Sequence, residues 1–216
     1  MELVELFPVS VRAVLRQIPD EELPLTPDEE VTVAHAVSKR RREFAAGRAC
    51  AREALDALGF RPSSLPRRAD GCPDWPAGVV GSITHSKVWA AAVVSECSEV
   101  LGLGLDLEQT GRLSRRVAEH ALSPAELEAG EADPLGPAVA WVVVFSAKES
   151  IYKCLYPTVR RYIGFREAEL RLQPDGTFTH CLADDLIAAL PVGSRSVGRF
   201  RLFKDHVITS FTLLES

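Results

Sequence analysis

The run Leu101-Gly102-Leu103-Gly104-Leu105-Asp106-Leu107-Glu108 constrains the chain more than any other stretch of comparable length. Its leucines occupy every second position, and a β-strand sends successive side chains to opposite faces. One face is therefore apolar and is expected on a core. The other carries Gly102, Gly104, Asp106 and Glu108, two carboxylates one pleat apart beside two positions with no side chain. A solvated edge strand accounts for the acids but not for the glycines, because Gly weakens a strand interior and marks close approach of a ligand or another backbone. The expectation is an open floor beside paired acids. A dinucleotide fingerprint is excluded, since Leu107 stands where the third glycine would fall.

A third acid comes from an apolar helix predicted over Ala138–Tyr156 and ended by Pro157, with Trp141, Val144, Phe145, Tyr152 and Tyr156 as its packing stripe. Lys148, Glu149 and Lys153 lie late in it. Glu149 and Lys153 can form a surface ion pair at helical spacing, contributing about a few tenths of a kcal/mol. Alternatively, Glu149 joins Asp106 and Glu108 around one hard cation, since Mg²⁺ takes oxygen ligands. Both readings stand on these residues.

The remaining pattern predicts an α+β chain. A helix is expected over Asp28–Leu58, opened by Thr26-Pro27 and closed by Gly59. Arg61–Gly78 is rich in Pro, Gly, Arg and Asp and reads as a long loop. Val79–Ser95 and Val100–Gln109 are predicted to pair as a hairpin across Glu96–Glu99. Short helices are expected over Arg112–Leu122 and Pro124–Gly130, the second with Ser123 as cap and Glu126 at the reciprocal position. Strands follow at Glu167–Leu172, Phe178–Leu182, Ser196–Phe203 and His206–Leu214, with Asp175-Gly176 as a hairpin turn. Two halves, 1–104 and 105–216, each offer a helix and an antiparallel sheet, with no evident residue-level repeat between them.

A formal charge of −5 excludes a surface fitted throughout to nucleic acid. The positive charge is instead local: Arg40-Arg41-Arg42, Arg48, Arg52 and Arg67-Arg68 all lie in the first half, and Arg suits phosphate by its fork of donors. The cluster Gly81-Ser82-Ile83-Thr84-His85-Ser86 is no G-x-S-x-G elbow, so a hydrolase nucleophile is not expected there. It suits a phosphate or a nucleotide edge, although His85 alone reads equally well as a half-buried, hydrogen-bonded histidine. Five scattered cysteines lack zinc spacing and are expected to be reduced thiols. The acidic N-terminus does not fit a signal peptide, and no run approaches a membrane span, so a cytoplasmic protein with no membrane partner is expected.

The segments R-R-x-E-F (Arg40–Phe44), G-R-A-C-A-R-E-A-L (Gly47–Leu55), W-P-x-G-V-V-G-S-I-T-H (Trp75–His85), G-L-D-L-E (Gly104–Glu108) and F-S-A-K-E-S-I-Y-K (Phe145–Lys153) together resemble the ordered motifs of the 4′-phosphopantetheinyl transferases. The similarity is to the monomeric, actinobacterial type that serves polyketide, peptide and fatty-acid synthases. It implies a pseudo-symmetric α+β monomer with coenzyme A in a cleft between its halves, acting on apo acyl or peptidyl carrier proteins. By the same resemblance Asp106, Glu108 and Glu149 bind Mg²⁺, with Glu149 also as general base and Lys153 at the leaving group. Arg40, Arg48, Thr84, His85, Lys148 and Lys153 would hold coenzyme A, joined by Arg67 or Arg68, where many relatives carry a single Lys. The segment Tyr156–Tyr162, with Arg160 and Arg161, is expected to leave the helix as a loop that docks the carrier.

Overall fold

Two short stretches of the sequence explain most of the architecture of the first part of the chain. Thr26-Pro27-Asp28-Glu29 is a complete capping box, and it starts helix α1 (Pro27–Val33). Gly47, with Ala46, Cys50, Ala51 and Ala54 around it, gives helix α2 (Ser38–Asp56) a face of small residues that lies on a sheet. The computed structural model describes residues 3–111 and 113–215. In it, the sheet under α2 consists of β1 (Arg12–Gln17), β2 (Val79–His85) and β3 (Trp89–Glu96), antiparallel in the order β1-β3-β2. Ala90, Ala92 and Val94 of β3 meet the helix, and Leu55 and Leu65 close the core. The single helix expected over 28–58 is thus two. Val37 breaks it with extended backbone and no Gly or Pro to announce the break.

The second part comprises β4 (Gly102–Gln109), α3 (Arg115–Ala121), α4 (Pro124–Ala132), α5 (Pro137–Val159), β5 (Ala168–Leu172), β6 (Thr177–Leu182), α6 (Asp184–Ala189), β7 (Arg195–Phe203) and β8 (His206–Leu214). Arg112, expected to open the first short helix, lies outside the described residues. Ser123 and Glu126 form the expected capping box of α4. The sheet is fully antiparallel in the order β4-β8-β7-β6-β5, and α5 packs on β4 and β8. Asp175-Gly176 makes the expected turn, with Gly176 at φ +81°.

The hairpin expected between Val79–Ser95 and Val100–Gln109 does not form. β2 and β3 are themselves the hairpin, closed by Ser86 Oγ accepting from the amides of Val88 and Trp89. Because β1 takes the other edge of β3, none is left for β4, which pairs with β8 instead, Asp106 opposite Thr209. Strand β1 had no legible alternation in Arg-Ala-Val-Leu-Arg-Gln. The chain consequently divides into two compact units between Val100 and Leu101, not at 104/105, so that β4 stays whole.

Pro157 also behaves differently from expectation: α5 continues to Val159 and ends at Arg160, which takes the left-handed conformation (φ 54°) and donates its amide to the Tyr156 carbonyl. Proline removes a hydrogen bond to the preceding turn, but its fixed φ suits the helix, and a last turn tolerates that loss.

Candidate active site

Gly104 is where α5 comes down furthest onto β4. A Cβ placed there would lie 1.7 Å from the Ser150 carbonyl oxygen, and one on Gly102 would lie 3.0 Å from the carbonyl oxygen and Sγ of Cys154. Only bare backbone admits a helix so closely. The glycines therefore make room for a helix, and the open floor expected beside the acids is closed by α5. Ser146, Ser150 and Cys154, one helical turn apart, rest in turn over Asp106, Gly104 and Gly102. The small residues at 146, 150 and 154, four apart, are the sequence signal of that close seat.

Close packing brings the charged groups together. Asp106 is 4% exposed; its Oδ1 accepts from Lys153 Nζ at 2.6 Å and its Oδ2 from Ser146 Oγ at 2.8 Å. Ser146 Oγ also meets Thr209 Oγ1 of β8 at 2.9 Å, and Lys153 Nζ donates to the Leu105 carbonyl at 3.1 Å. Lys153 thus folds back onto the strand acid, and a solvated ion pair with Glu149 does not describe it. Glu149 is half-buried beside this pair. Burial first, and then the charge of Asp106, push its carboxyl above the ordinary range, with Lys153 opposing. Glu108 is half-buried one pleat along from Asp106 on the same side of β4. Among the described residues, no three Asp, Glu, His or Cys side chains are gathered into a ready-made metal site. The donor set is all carboxylate oxygen, which fits a hard divalent cation, and the positive charge now lying on Asp106 is the Lys153 ammonium.

A stability consequence follows for Glu149. Its carboxyl binds a proton more tightly in the folded than in the unfolded chain, so this group favours folding below its unfolded pKa and loses that contribution as pH rises through the folded value. Glu149→Gln removes the loss. In chelator-treated protein the variant is expected to melt above wild type at neutral pH, with the gap closing near about pH 4, the ordinary carboxylate range. Equal or lower melting at neutral pH would show that Glu149 is not strained there.

Lys148 is not placed as expected. All three of its donors are used inside the fold: Glu126 Oε2 at 2.7 Å, the Phe165 carbonyl at 2.7 Å and the Ala121 carbonyl at 3.1 Å. The pair with Glu126 is shut from solvent, and burial outweighs Glu126 in lowering the Lys148 pKa. One residue before Glu149 on a helix turns the side chain by about 100°, which separates the two roles. Lys148 and Glu149 border a pocket of about 230 Å³ with Ile151, Tyr152, Tyr162 and Phe165. Arg161, expected to dock a partner, is tied to Glu167 and Asp185 beside this pocket.

In the N-terminal unit Arg48 is 5% exposed, stacked on Phe44 at 4.3 Å, and donates Nε to the Leu65 carbonyl at 2.6 Å. Burial lowers its pKa to about 10, opposed by Glu29 and reinforced by Arg52, Arg67 and Arg40. Among the described residues no carboxylate closes an ion pair with it. Arg52 is neutralised by the fully buried Glu29. Arg40 meets His85 Nε2, and Glu43 lies 3.7 Å from both side chains. Thr84 is buried on β2 next to His85. Arg68 pairs with Asp70 at 2.8 Å, whereas Arg67 gives only its Nε, at 2.9 Å, to the Gly71 carbonyl. The structure thus brings Asp106, Glu149 and Lys153 together in one unit, and Arg48 with its cationic neighbours in the other. Glu29, Glu126, Ser146 and Thr209 join these networks without having been singled out for them.

Two family models match the chain: one described as 4′-phosphopantetheinyl transferase N-terminal domain over residues 28–95, and one as 4′-phosphopantetheinyl transferase superfamily over residues 102–209. The chain is similar to the 4′-phosphopantetheinyl transferase Svp of Streptomyces mobaraensis, at 42% identity over 90% of this chain and 81% of that one. It is similar also to the 4′-phosphopantetheinyl transferase PptT of Mycobacterium tuberculosis, at 34% identity over 87% of this chain and 85% of that one. Among solved structures, a holo-[acyl-carrier-protein] synthase of Neisseria meningitidis aligns with a TM-score of 0.44 at 22% identity, over 54% of this chain and 99% of that one.

Proposed function

The chain belongs to the 4′-phosphopantetheinyl transferase superfamily, and from that membership we propose that it moves the 4′-phosphopantetheine group of coenzyme A to a serine of an apo acyl or peptidyl carrier protein. The observation that carries the substrate reading is Arg48. A buried guanidinium among like charges, with no carboxylate in contact, costs free energy unless an anion arrives. A phosphate of coenzyme A is that anion, and Arg40, Arg67, Thr84 and His85 complete its binding set. Arg67 is preferred over Arg68, which is already held by Asp70.

In the reaction the serine oxygen attacks the β-phosphorus, the bond from that phosphorus to the bridging oxygen breaks, and 3′,5′-adenosine bisphosphate leaves with the electron pair. Glu149 takes the serine proton, directly or through a water. Lys153, carried on the same helix face, neutralises phosphoryl oxygens and the leaving group. Asp106, Glu108 and Glu149 would hold Mg²⁺, which supplies charge neutralisation at the pyrophosphate when bound. No nucleophile is required of the enzyme, so positioning and electrostatics account for its part. The same reading is of a cytoplasmic monomer; no described helix is long and apolar enough to cross a membrane.

The test is mass spectrometry of an apo carrier protein incubated with this protein, coenzyme A and Mg²⁺. A covalent 4′-phosphopantetheine adduct on one serine is expected, and it should disappear when a chelator replaces the metal. No adduct on any of several carriers overturns the reading. For the binding set, Arg48→Ala is expected to weaken coenzyme A about tenfold or more, as for a lost bond to a charged group, while dephospho-coenzyme A changes little. Equal losses for the two ligands would move Arg48 away from the 3′-phosphate.

A further inference from the structure

The two units share a device that the bare sequence did not give away. Each opens one helix with a capping box written as the tetrad Ser/Thr-Pro-x-Glu: Thr26-Pro27-Asp28-Glu29 in one unit and Ser123-Pro124-Ala125-Glu126 in the other. Both boxes are closed reciprocally, so each glutamate accepts from the amide of its own cap residue, Thr26 at 3.1 Å and Ser123 at 2.7 Å. Glutamate is almost never fully buried unless it is paired. These are 0% and 2% exposed.

Each glutamate does two further things. It binds a cation from the long helix of its unit, Arg52 of α2 at 2.7 Å or Lys148 of α5 at 2.7 Å. It also accepts the amide of a residue far along the chain, Leu65 at 3.0 Å or Leu170 at 2.8 Å. The clamped segment is gripped a second time through a carbonyl by a long-helix cation: Arg48 holds Leu65 O and Lys148 holds Phe165 O. The segments so held are the ones next to the candidate sites. Leu65 lies two residues before Arg67, and Phe165 and Ala168 line the pocket bordered by Glu149.

We propose that Glu29 and Glu126 are equivalent positioning residues, each fixing a segment that adjoins the candidate site of its unit. The proposal rests on the transferase reading for its kinetic consequence, but the clamp itself does not. Neither glutamate touches substrate. Both act through the backbone they hold, Glu29 on the approach to Arg67 and Glu126 on the Phe165–Leu170 wall.

Glutamine is a revealing replacement. Both oxygens of each carboxylate accept from donors only, so the amide nitrogen of Gln must confront a donor whichever way it turns. The experiment compares Glu29→Gln and Glu126→Gln in the full chain by hydrogen exchange and by steady-state kinetics. Exchange is expected to quicken around Leu65 in the first variant and around Leu170 in the second, and not the reverse. Glu29→Gln is expected to raise KM for coenzyme A with kcat little changed. Glu126→Gln is expected to lower kcat, each effect about ten- to a hundredfold, as for a slightly misplaced group. Should Glu126→Gln not fold, Glu126→Leu with Lys148→Met removes both charges at once, a replacement that buried pairs often tolerate; exchange at Leu170 then reads the glutamate's hold, with Lys148→Met alone as the reference for kcat, and unchanged exchange there overturns the proposal. Folded variants with lowered melting temperatures but unchanged kcat, KM and local exchange would overturn the proposal and leave the glutamates as general stabilisers. Wild-type protein that modifies no carrier would overturn the transferase reading instead, with exchange still deciding the clamp.

Discussion

Asp106→Asn is expected to reduce carrier modification by about a thousandfold, the upper range for removal of one preorganised charged group, while the chain stays folded. Asn keeps the shape and can still accept from Ser146, but it lacks the charge that Lys153 meets at 2.6 Å and that a divalent cation would need. Alanine is the poorer test, because it would take an acceptor from Ser146 and the counter-charge from the Lys153 ammonium at once, in a site that is 4% exposed at its centre. The measurement is the initial rate of holo carrier formation at saturating coenzyme A, with circular dichroism to confirm folding. Turnover near wild type would remove Asp106 from the chemistry.

Gly104→Ala is expected to be the most disruptive single methyl in the C-terminal unit. The added Cβ would lie 1.7 Å from Ser150 O and 2.7 Å from its carbon, both backbone atoms that no rotamer change can move. The helix must lift from the strand, losing packing along Ser146, Ser150 and Cys154, and a cost of about 4 kcal/mol or more follows. That is a large share of the roughly 5–15 kcal/mol that holds a domain folded. Gly59→Ala is the control: φ is +84° but nothing lies within 4 Å, so only backbone strain of about 1 kcal/mol is added. Denaturant midpoints for the two variants decide between steric closeness and backbone strain. Similar losses would mean that α5 is free to move.

Much of this was legible because it is local. The Asp106/Glu108 pair, the run from Lys148 to Lys153, the arginine pairs, the capping box at Ser123 and the turn at Asp175-Gly176 are each written within a few residues. What was not legible depends on partners distant in sequence. Val100–Gln109 looked like the second strand of a hairpin because nothing in it reveals that β1 already occupies the free edge of β3. Gly102 and Gly104 invite something close, and that it is backbone and not ligand is decided by Ser150 and Cys154 of α5, far along the chain. Lys148 reads as a phosphate ligand beside Glu149, and nothing local reveals that Glu126, 22 residues earlier, binds its ammonium inside the fold. Arg161 was similarly claimed by Glu167 and Asp185.

The seating of α5 on β4 acts like a vernier. Four residues of helix advance about 6.0 Å, and two residues of strand about 6.8 Å, so the graduations Ser146/Asp106, Ser150/Gly104 and Cys154/Gly102 agree only over a short span. One residue inserted between Ser146 and Ser150 would slip the scale by a division and swing Glu149 and Lys153 about 100° away from Asp106. Length changes in this chain are therefore confined by arithmetic to regions outside Gly102–Asp106 and Ser146–Cys154. The spacing of G-x-G-x-D and S-x-x-x-S-x-x-x-C is consequently a stricter signature of a working site than the identity of any apolar residue between them.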